Sequence, residues 1–300
     1  MTPGLISHPP GVVVVLVNWN GYEDSSKCLR SLRKQTYVNC RVVVVDNGST
    51  DGSVKRLRQE FPEVEVLETG RNLGFSKGNN VGINRALGWN PDYVWVLNND
   101  TTVDPNALVE MVRVGEDDRR IGAVGSVLYS MDEPGRVTVW GGGWVSLLRG
   151  TSGCYSNGPI TPDFVSGASM LLRRAALDEV GAFDEGFFIY WEDADLSFRL
   201  RKRGWRLGVA EASRVWHKES VTFGKRSVAR DTIMNRSAIR FLFLHARVPW
   251  CGVVVGIGGR IGKRLLAGDW GRARAVWNGA AAGLRARHED GGIDHGRSTG

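Results

Sequence analysis

Four runs of consecutive apolar, mostly β-branched residues fall within the first hundred positions: VVVVLV at 12–17, RVVVVD at 41–46, VEVLE at 64–68 and YVWVL at 93–97. Unbroken apolar runs of this length suit strands buried on both faces, as in parallel sheets. The segments between them read as helices. Tyr22 to Lys34 sets Cys28, Leu29 and Leu32 on one side, and Ser53 to Glu60 does the same with Val54 and Leu57. Gly78 to Leu87 carries Val81, Ile83 and Leu87 less regularly. Strand alternating with helix predicts a doubly wound, mostly parallel α/β sheet with right-handed crossovers.

Ligands of such sheets bind beyond the carboxyl ends of the strands. Each run here stops at a polar stretch: Asn18-Trp19-Asn20-Gly21, Asp46-Asn47-Gly48-Ser49, Arg71-Asn72-Leu73-Gly74 and Asn98-Asn99-Asp100. One polar strand end is a loop, whereas four on one edge imply a site. After the fourth, Asp104 as N-cap and Pro105 at the first helical position predict a helix through Ala107 to Val114.

Further along, Gly122 to Tyr129 and Arg136 to Val139 read as short strands and GGGW at 141–144 as loop. A helix is predicted from Glu192 to Gly204, with Gly204 as its C-terminal cap. Asp195 and Arg199, four apart, form a helical ion pair. Carboxylates in a first turn suit the helix dipole. Three of them within four residues (Glu192, Asp193 and Asp195) exceed what capping requires, and Asp193 has no evident structural partner.

The division this implies is an N-terminal tail over 1–11 and a catalytic domain over 12–222, split into halves 12–100 and 101–222. A basic amphipathic helical extension follows over 223–290, then a disordered tail over 291–300. In the extension, Arg260, Lys263, Arg264, Arg272 and Arg274 interleave with Leu265, Leu266 and Trp270. Such a helix either rests on an anionic membrane or packs, solvated, on the catalytic domain.

A formal net charge of +7 favours anionic partners such as nucleotides, phosphorylated lipids or a membrane surface. No nucleic-acid-binding signature accompanies it, so nucleic acid is not expected. Four cysteines without CxxC spacing fit a reduced, cytosolic protein. MTPGLISHPPG lacks a signal-peptide layout, and the apolar stretch Pro249 to Gly259 is too short to span a bilayer. The expectation is a protein that is not integral to the membrane.

The stretches VVLVNWNG (14–21), VVVDNGSTDGS (43–53), NLGFSKGNNVGI (72–83), LNNDT (97–101), FVSGASMLLRR (164–174), YWEDADLSFRLRKRGW (190–205) and WHKES (216–220), taken in order, resemble glycosyltransferase family 2 and its rhamnosyltransferase-like branch. The resemblance covers about residues 12 to 220. It implies a GT-A fold, an inverting mechanism and a nucleotide-diphosphate-sugar donor, dTDP- or UDP-linked, with dTDP-rhamnose suggested by the branch. A glycan or lipid-linked acceptor, a role in cell-surface polysaccharide synthesis and a place on the inner face of the membrane follow from the same resemblance.

Residue by residue, LNND resembles the family's metal-binding element. Asp100 matches its last Asp, and Asn98 stands where many members carry the first. Asp100 and His217 are then the expected ligands of Mg²⁺ or Mn²⁺. The resemblance sets Asn18, Asp46, Asn47, Asp51, Arg71, Asn72, Asn79, Asn98 and Asn99 around the donor nucleotide, with Asn47 replacing a family Asp. It makes Asp193 the general base and sets Tyr190, Trp191 and Glu192 beside the acceptor. Packing is the competing use of both aromatics, as helix capping is of Asp51. A sugar-phosphate nucleotidyltransferase would need a Gly-rich basic loop after the first strand, and NWNGYED supplies none. A dinucleotide oxidoreductase would need GxGxxG there. A non-catalytic protein that keeps the fold is disfavoured by the retained Asp193, Asp100 and His217.

Overall fold

The four apolar runs become the parallel half of a nine-stranded sheet. The structure, a computed structural model, describes residues 9–218 and 227–293. Residues 1–8, Glu219 and Ser220 of the WHKES stretch, the expected boundary at 222 and residues 294–300 lie outside the described residues. In chain order the first elements are β1 (Val12–Asn18), α1 (Tyr22–Leu32), β2 (Cys40–Asp46), α2 (Ser53–Glu60), β3 (Glu65–Glu68), α3 (Phe75–Leu87), β4 (Tyr93–Leu97), β5 (Thr101–Val103) and α4 (Ala107–Asp117). Next come β6 (Ile121–Ser130), β7 (Val137–Trp140), β8 (Gly142–Ser146), β9 (Thr151–Cys154), β10 (Phe164–Val165), β11 (Ser169–Arg173), α5 (Arg174–Val180), α6 (Glu192–Lys202) and β12 (Arg206–His217). The chain closes with α7 (Val228–His245), α8 (Pro249–Gly252), a π-helical turn (Val253–Ile257), α9 (Gly258–Leu266) and α10 (Trp270–Ile293).

The large sheet runs β3-β2-β1-β4-β11-β6-β12-β5, with β7 on β6. Strands β3, β2, β1 and β4 are mutually parallel. β11 then pairs antiparallel with both β4 and β6. Alternate residues of β1 enter opposite cores: Val12, Val14 and Leu16 join the one that also holds residues of α1, α2 and α4, whereas Val13 and Val15 join the one that holds residues of α3, α5 and α6. Val12 to Leu16 are at most 2% exposed. Each such side chain contributes about 1.5–3 kcal/mol by leaving water, so a polar residue anywhere in this run is excluded.

Two local expectations are corrected. GGGW is strand rather than loop, because Gly142 and Gly143 belong to β8 of a second, three-stranded sheet, β10-β8-β9. Glycine serves close approach there: a Cβ on Gly142 would lie 1.8 Å from the Phe164 carbonyl oxygen. Asp104 does not cap α4, whose N-cap is Asn106. Its carboxylate instead accepts the Asn106 N–H at 2.9 Å, closing a turn one step ahead of the helix. At the end of α6 the expected cap holds. Gly204 has φ +87°, and the Trp205 and Gly204 N–H groups donate to the carbonyls of Leu200 and Arg201.

The C-terminal helices form a layer against α6. Phe241 of α7 packs tilted against Trp191, ring centroids 4.7 Å apart, and edge-to-face against Phe198 at 5.1 Å. A buried charge network holds the layer together. Asp231 accepts from Arg264 at 2.5 Å and Arg272 at 2.7 Å, and Arg260 donates to Asn235 at 2.9 Å. Three of the five cations assigned to a solvent- or membrane-facing stripe therefore point inward, because Asp231 and Asn235 lie on the facing side of α7. Helix α10 continues to Ile293, into the stretch expected to be disordered.

Candidate functional site

The polar strand ends meet at one edge of the parallel half. They border a cleft of ≈ 150 Å³ whose walls include Asn47, Asn72, Asn79, Asn98, Asn99 and Asp100. Asn47 fastens the neighbouring loop: its amide donates to the Gly74 carbonyl at 3.1 Å and its oxygen accepts the Leu73 N–H at 2.9 Å. Asn72 accepts from Gly74, and Asn79 donates to the Phe75 carbonyl. Asn99 reaches Ser25 at 2.9 Å.

Asn18 and Asp46 are buried and do not line this cleft. The Asn18 amide donates to Asp46 at 2.8 Å and to Ser49 at 3.1 Å, while its oxygen accepts from Ser25. Their polar groups are thus spent on holding the ends of β1 and β2 together. Arg71 is exposed. Asp51 does not cap α2, whose N-cap is Gly52; its carboxylate accepts the Ser53 N–H at 3.0 Å and closes a turn one step ahead of the helix, as Asp104 does before α4. Trp19 was given no role by sequence, yet it lines the cleft and is 43% exposed. A large aromatic between two asparagines at a strand end was the available signal.

Asp100 and His217, 117 positions apart in sequence, meet because β5 and β12 pair antiparallel with Thr101 opposite His217. The Asp100 carboxylate lies 3.2 Å from His217 Nε2. The Asn98 amide stands 3.3 Å from the same nitrogen, and its oxygen is buried without a partner. The two ends of that amide have the same shape, so the orphaned oxygen and the NH₂ are interchangeable there. Carboxylate, imidazole and amide oxygen form a hard-to-borderline donor set that fits Mg²⁺ or Mn²⁺. Among the described residues no group of three or more His, Cys, Asp or Glu side chains gathers.

The second half contributes through residues 166–168. Ala168 accepts the Asn98 N–H at 3.0 Å, and the Gly167 N–H donates to Asp193 Oδ2 at 3.0 Å. One short turn therefore ties the Asn98–Asp100 loop to the first turn of α6. Asp193 Oδ1 also accepts the Ala194 N–H at 2.8 Å. Burial raises the Asp193 pKa, opposed by these two N–H groups. Burial, with the charges of Asp193 and Asp195 adding to it, raises that of Glu192 well above the carboxylate range. Glu192 has one oxygen without a partner. Of this coupled pair, the carboxyl with two donors is the one that ionises, and Glu192 holds a proton.

Asp195 is committed elsewhere: it accepts from Arg199, as its spacing predicts, and from His245 of α7, each at 2.8 Å. The His245 partner had no signal in local sequence. Tyr190 and Trp191 precede α6 in left-handed backbone, with φ 72° and 73°. Consecutive non-glycine residues there are strained, a feature that clusters at working sites. Trp191 is buried against Phe241 and so takes the packing use, while Tyr190 stays half-buried beneath Arg230.

The profile of Glycosyl transferase family 2 matches residues 13–181. An N-acetylglucosaminyl-diphospho-decaprenol L-rhamnosyltransferase of Mycobacterium tuberculosis is 30% identical over 260 residues, covering 76% of this chain and 83% of that protein. The low-salt glycan biosynthesis hexosyltransferase Agl10 of Haloferax volcanii is 23% identical over 253 residues, 77% and 78% of the two chains. Among solved structures, the mannosyltransferase PcManGT from Pyrobaculum calidifontis, in complex with GDP-Man and Mn²⁺, superposes with TM-score 0.60 at 16% identity, covering 93% of this chain and 88% of that one. GalNAc-T7 with UDP, GalNAc and Mn²⁺ gives TM-score 0.66 at 14% identity, covering 90% and 55%. These likenesses give the GT-A fold, and the profile match and the rhamnosyltransferase relative give the lineage: the chain is a glycosyltransferase and belongs to glycosyl transferase family 2.

Proposed function

We propose that the chain is an inverting enzyme that moves rhamnose from dTDP-rhamnose to a hydroxyl of a lipid-linked glycan, in cell-surface polysaccharide synthesis at the inner face of the membrane. The observation that carries this reading is the 166–168 turn, which hydrogen-bonds both the Asn98–Asp100 loop and Asp193. It joins a base to the loop that carries Asp100, one of the two residues that would hold a donor-side cation. Asp193, ionised by its two N–H donors, takes the proton of the acceptor hydroxyl as that oxygen attacks the anomeric carbon. Asp100, His217 and the Asn98 oxygen would hold Mg²⁺ or Mn²⁺, with donor phosphate oxygens completing the shell. A cation held there would supply positive charge against the departing nucleoside diphosphate.

Asn47, Asn72, Asn79 and Asn99 line the nucleoside's side of the cleft, and the exposed Trp19 offers its ring to the base. Asn18 and Asp46 act beneath them by fixing the strand ends, and Arg71 lies outside on the donor's approach. Tyr190 meets the acceptor sugar, and the neutral Glu192 keeps a second negative charge away from Asp193. The rhamnosyl donor and lipid-linked acceptor are carried over from the M. tuberculosis relative's name. The test is incubation of the full chain with dTDP-rhamnose, UDP-hexoses or GDP-mannose and a polyprenyl-diphosphate-linked sugar acceptor. NMR of the product then reads the anomeric configuration. Transfer from dTDP-rhamnose with inversion supports the reading; transfer from another donor alone, or with retention, overturns it.

A further inference from the structure

The apolar surface left over by the fold lies on the C-terminal layer. From Pro249 to Leu266 the chain runs through α8, the π-helical turn and α9 as consecutive helical segments. Its inner side is accounted for: Val253 and Ile257 pack with Ile239, Leu242, Val276 and Ala280, and Arg260 and Arg264 bond to α7. Its outer side is the reverse of a soluble helix. Trp250 is 52% exposed, Val254 69%, Val255 54% and Leu266 92%. Every exposed residue between Arg247 and Lys263 is uncharged. Water does not select such a face, and contiguous exposed apolar surface of this kind marks a contact.

We infer that this face lies on an anionic lipid bilayer, with Trp250, Val254 and Val255 in the headgroup–acyl boundary and Arg247 and Lys263 against lipid phosphates. Three observations select this occupant. The apolar stretch is bracketed by exposed cations, and from 247 to 277 the only acidic residue is Asp269, which pairs with Arg272. Trp250, and Trp270 beyond the end of α9, are the side chains that settle at headgroup depth. A second copy of the chain docked two-fold on the same face would oppose its own cations to their counterparts. No helix of the described residues is long and apolar enough to cross a membrane, so the contact is one of surface insertion. The assignment differs from a stripe of basic residues, since Arg260, Arg264 and Arg272 face the protein.

The layer is joined to the site. Ser237 of α7 donates to the Ile189 carbonyl at 3.0 Å, just before Tyr190. A bilayer on the outer face thus lies two helical layers from the acceptor side, within the reading that the acceptor is lipid-linked.

The experiment is cosedimentation of the full chain, without donor or acceptor, with vesicles of phosphatidylglycerol and phosphatidylethanolamine or of phosphatidylcholine alone. The expected result is binding to the anionic vesicles that V254D/V255D weakens at least about tenfold, because two carboxylates enter the apolar boundary. R247Q and K263Q each weaken it about fivefold. V254D/V255D keeps the wild-type Tm, since both side chains are exposed. Wild-type protein left in the supernatant, or a double variant that sediments equally, overturns the inference. So does a wild-type dimer by size-exclusion chromatography that the same variant dissociates. None of these readouts depends on turnover, so failure of the donor assignment would leave the inference standing.

Discussion

Replacing Asp193 by asparagine changes both chemistry and structure, and the geometry separates the two. The carboxylate accepts one N–H on each oxygen, from Gly167 and from Ala194. An amide can accept only one, so the other N–H meets an NH₂ group and loses its partner. An unsatisfied buried donor costs about 1–3 kcal/mol. At about 2–4 °C per kcal/mol for a chain near this size, Asp193→Asn lowers Tm by about 2–12 °C. Loss of a general base costs a further factor of about 10² to 10⁴ in kcat. The assay is kcat at a temperature well below both melting points, beside nucleotide-induced thermal stabilisation. The expected variant is folded, binds donor nucleotide as the wild type does, and turns over at most about a hundredth as fast. Turnover within tenfold of wild type in a folded Asp193→Asn protein would refute the role of this carboxyl as base.

Glu192 has a raised folded pKa, so its contribution to stability is complete below the unfolded carboxylate pKa and is lost as pH rises through the folded value. Glu192→Gln removes that loss, and its Tm relative to wild type should climb as pH rises above the unfolded carboxylate pKa; a constant difference contradicts the buried protonated carboxyl. Asp231→Ala leaves Arg264 without a counter-charge and Arg272 with Asp269 alone, a loss of about 3–5 kcal/mol measurable by urea unfolding. Burial alone would raise the Asp231 pKa, but the two guanidinium hydrogen bonds outweigh it and lower it. This contribution is therefore present above the unfolded carboxylate pKa and lost as pH falls through the folded one. Gly82→Ala would set a Cβ 2.3 Å from Val15 Cγ1 and force α3 off β1, costing about 1–3 kcal/mol; an unchanged midpoint would mean the α3–β1 contact is slack.

The parallel half was legible because its signal is local. Each buried strand is an unbroken run, and each polar strand end follows directly in sequence. The glycines of GGGW read as loop because glycine's usual duty is a turn, whereas here the neighbouring strands approach too closely for any side chain. The cations at 260, 264 and 272 read as a solvent-facing stripe because periodicity cannot see Asp231, which reaches them across a helix interface. At the site, Asp193 stood out as the carboxylate with no helical partner, and its two N–H donors are a neighbour's backbone and its own helix turn. The meeting of Asp100 with His217 needed the register of β5 against β12, which no spacing encodes; the family resemblance supplied it. The short reach of Asn18 and Asp46, which tie strand ends rather than line the cleft, is a matter of burial that residue type alone does not convey.

The central claim is that Asp100 and His217 hold a divalent cation against the donor diphosphate. The most direct measurement is thermal unfolding of wild-type, Asp100→Ala and His217→Ala proteins with dTDP, UDP or GDP, each with and without Mn²⁺. A nucleotide at about 100 times its Kd adds about 2.7 kcal/mol of apparent stability, a shift of several degrees. Wild-type protein should be stabilised by dTDP only with Mn²⁺ present, and both variants should lose that stabilisation. Stabilisation that ignores the metal, or that survives Asp100→Ala, would rule out a cation held by Asp100 and His217.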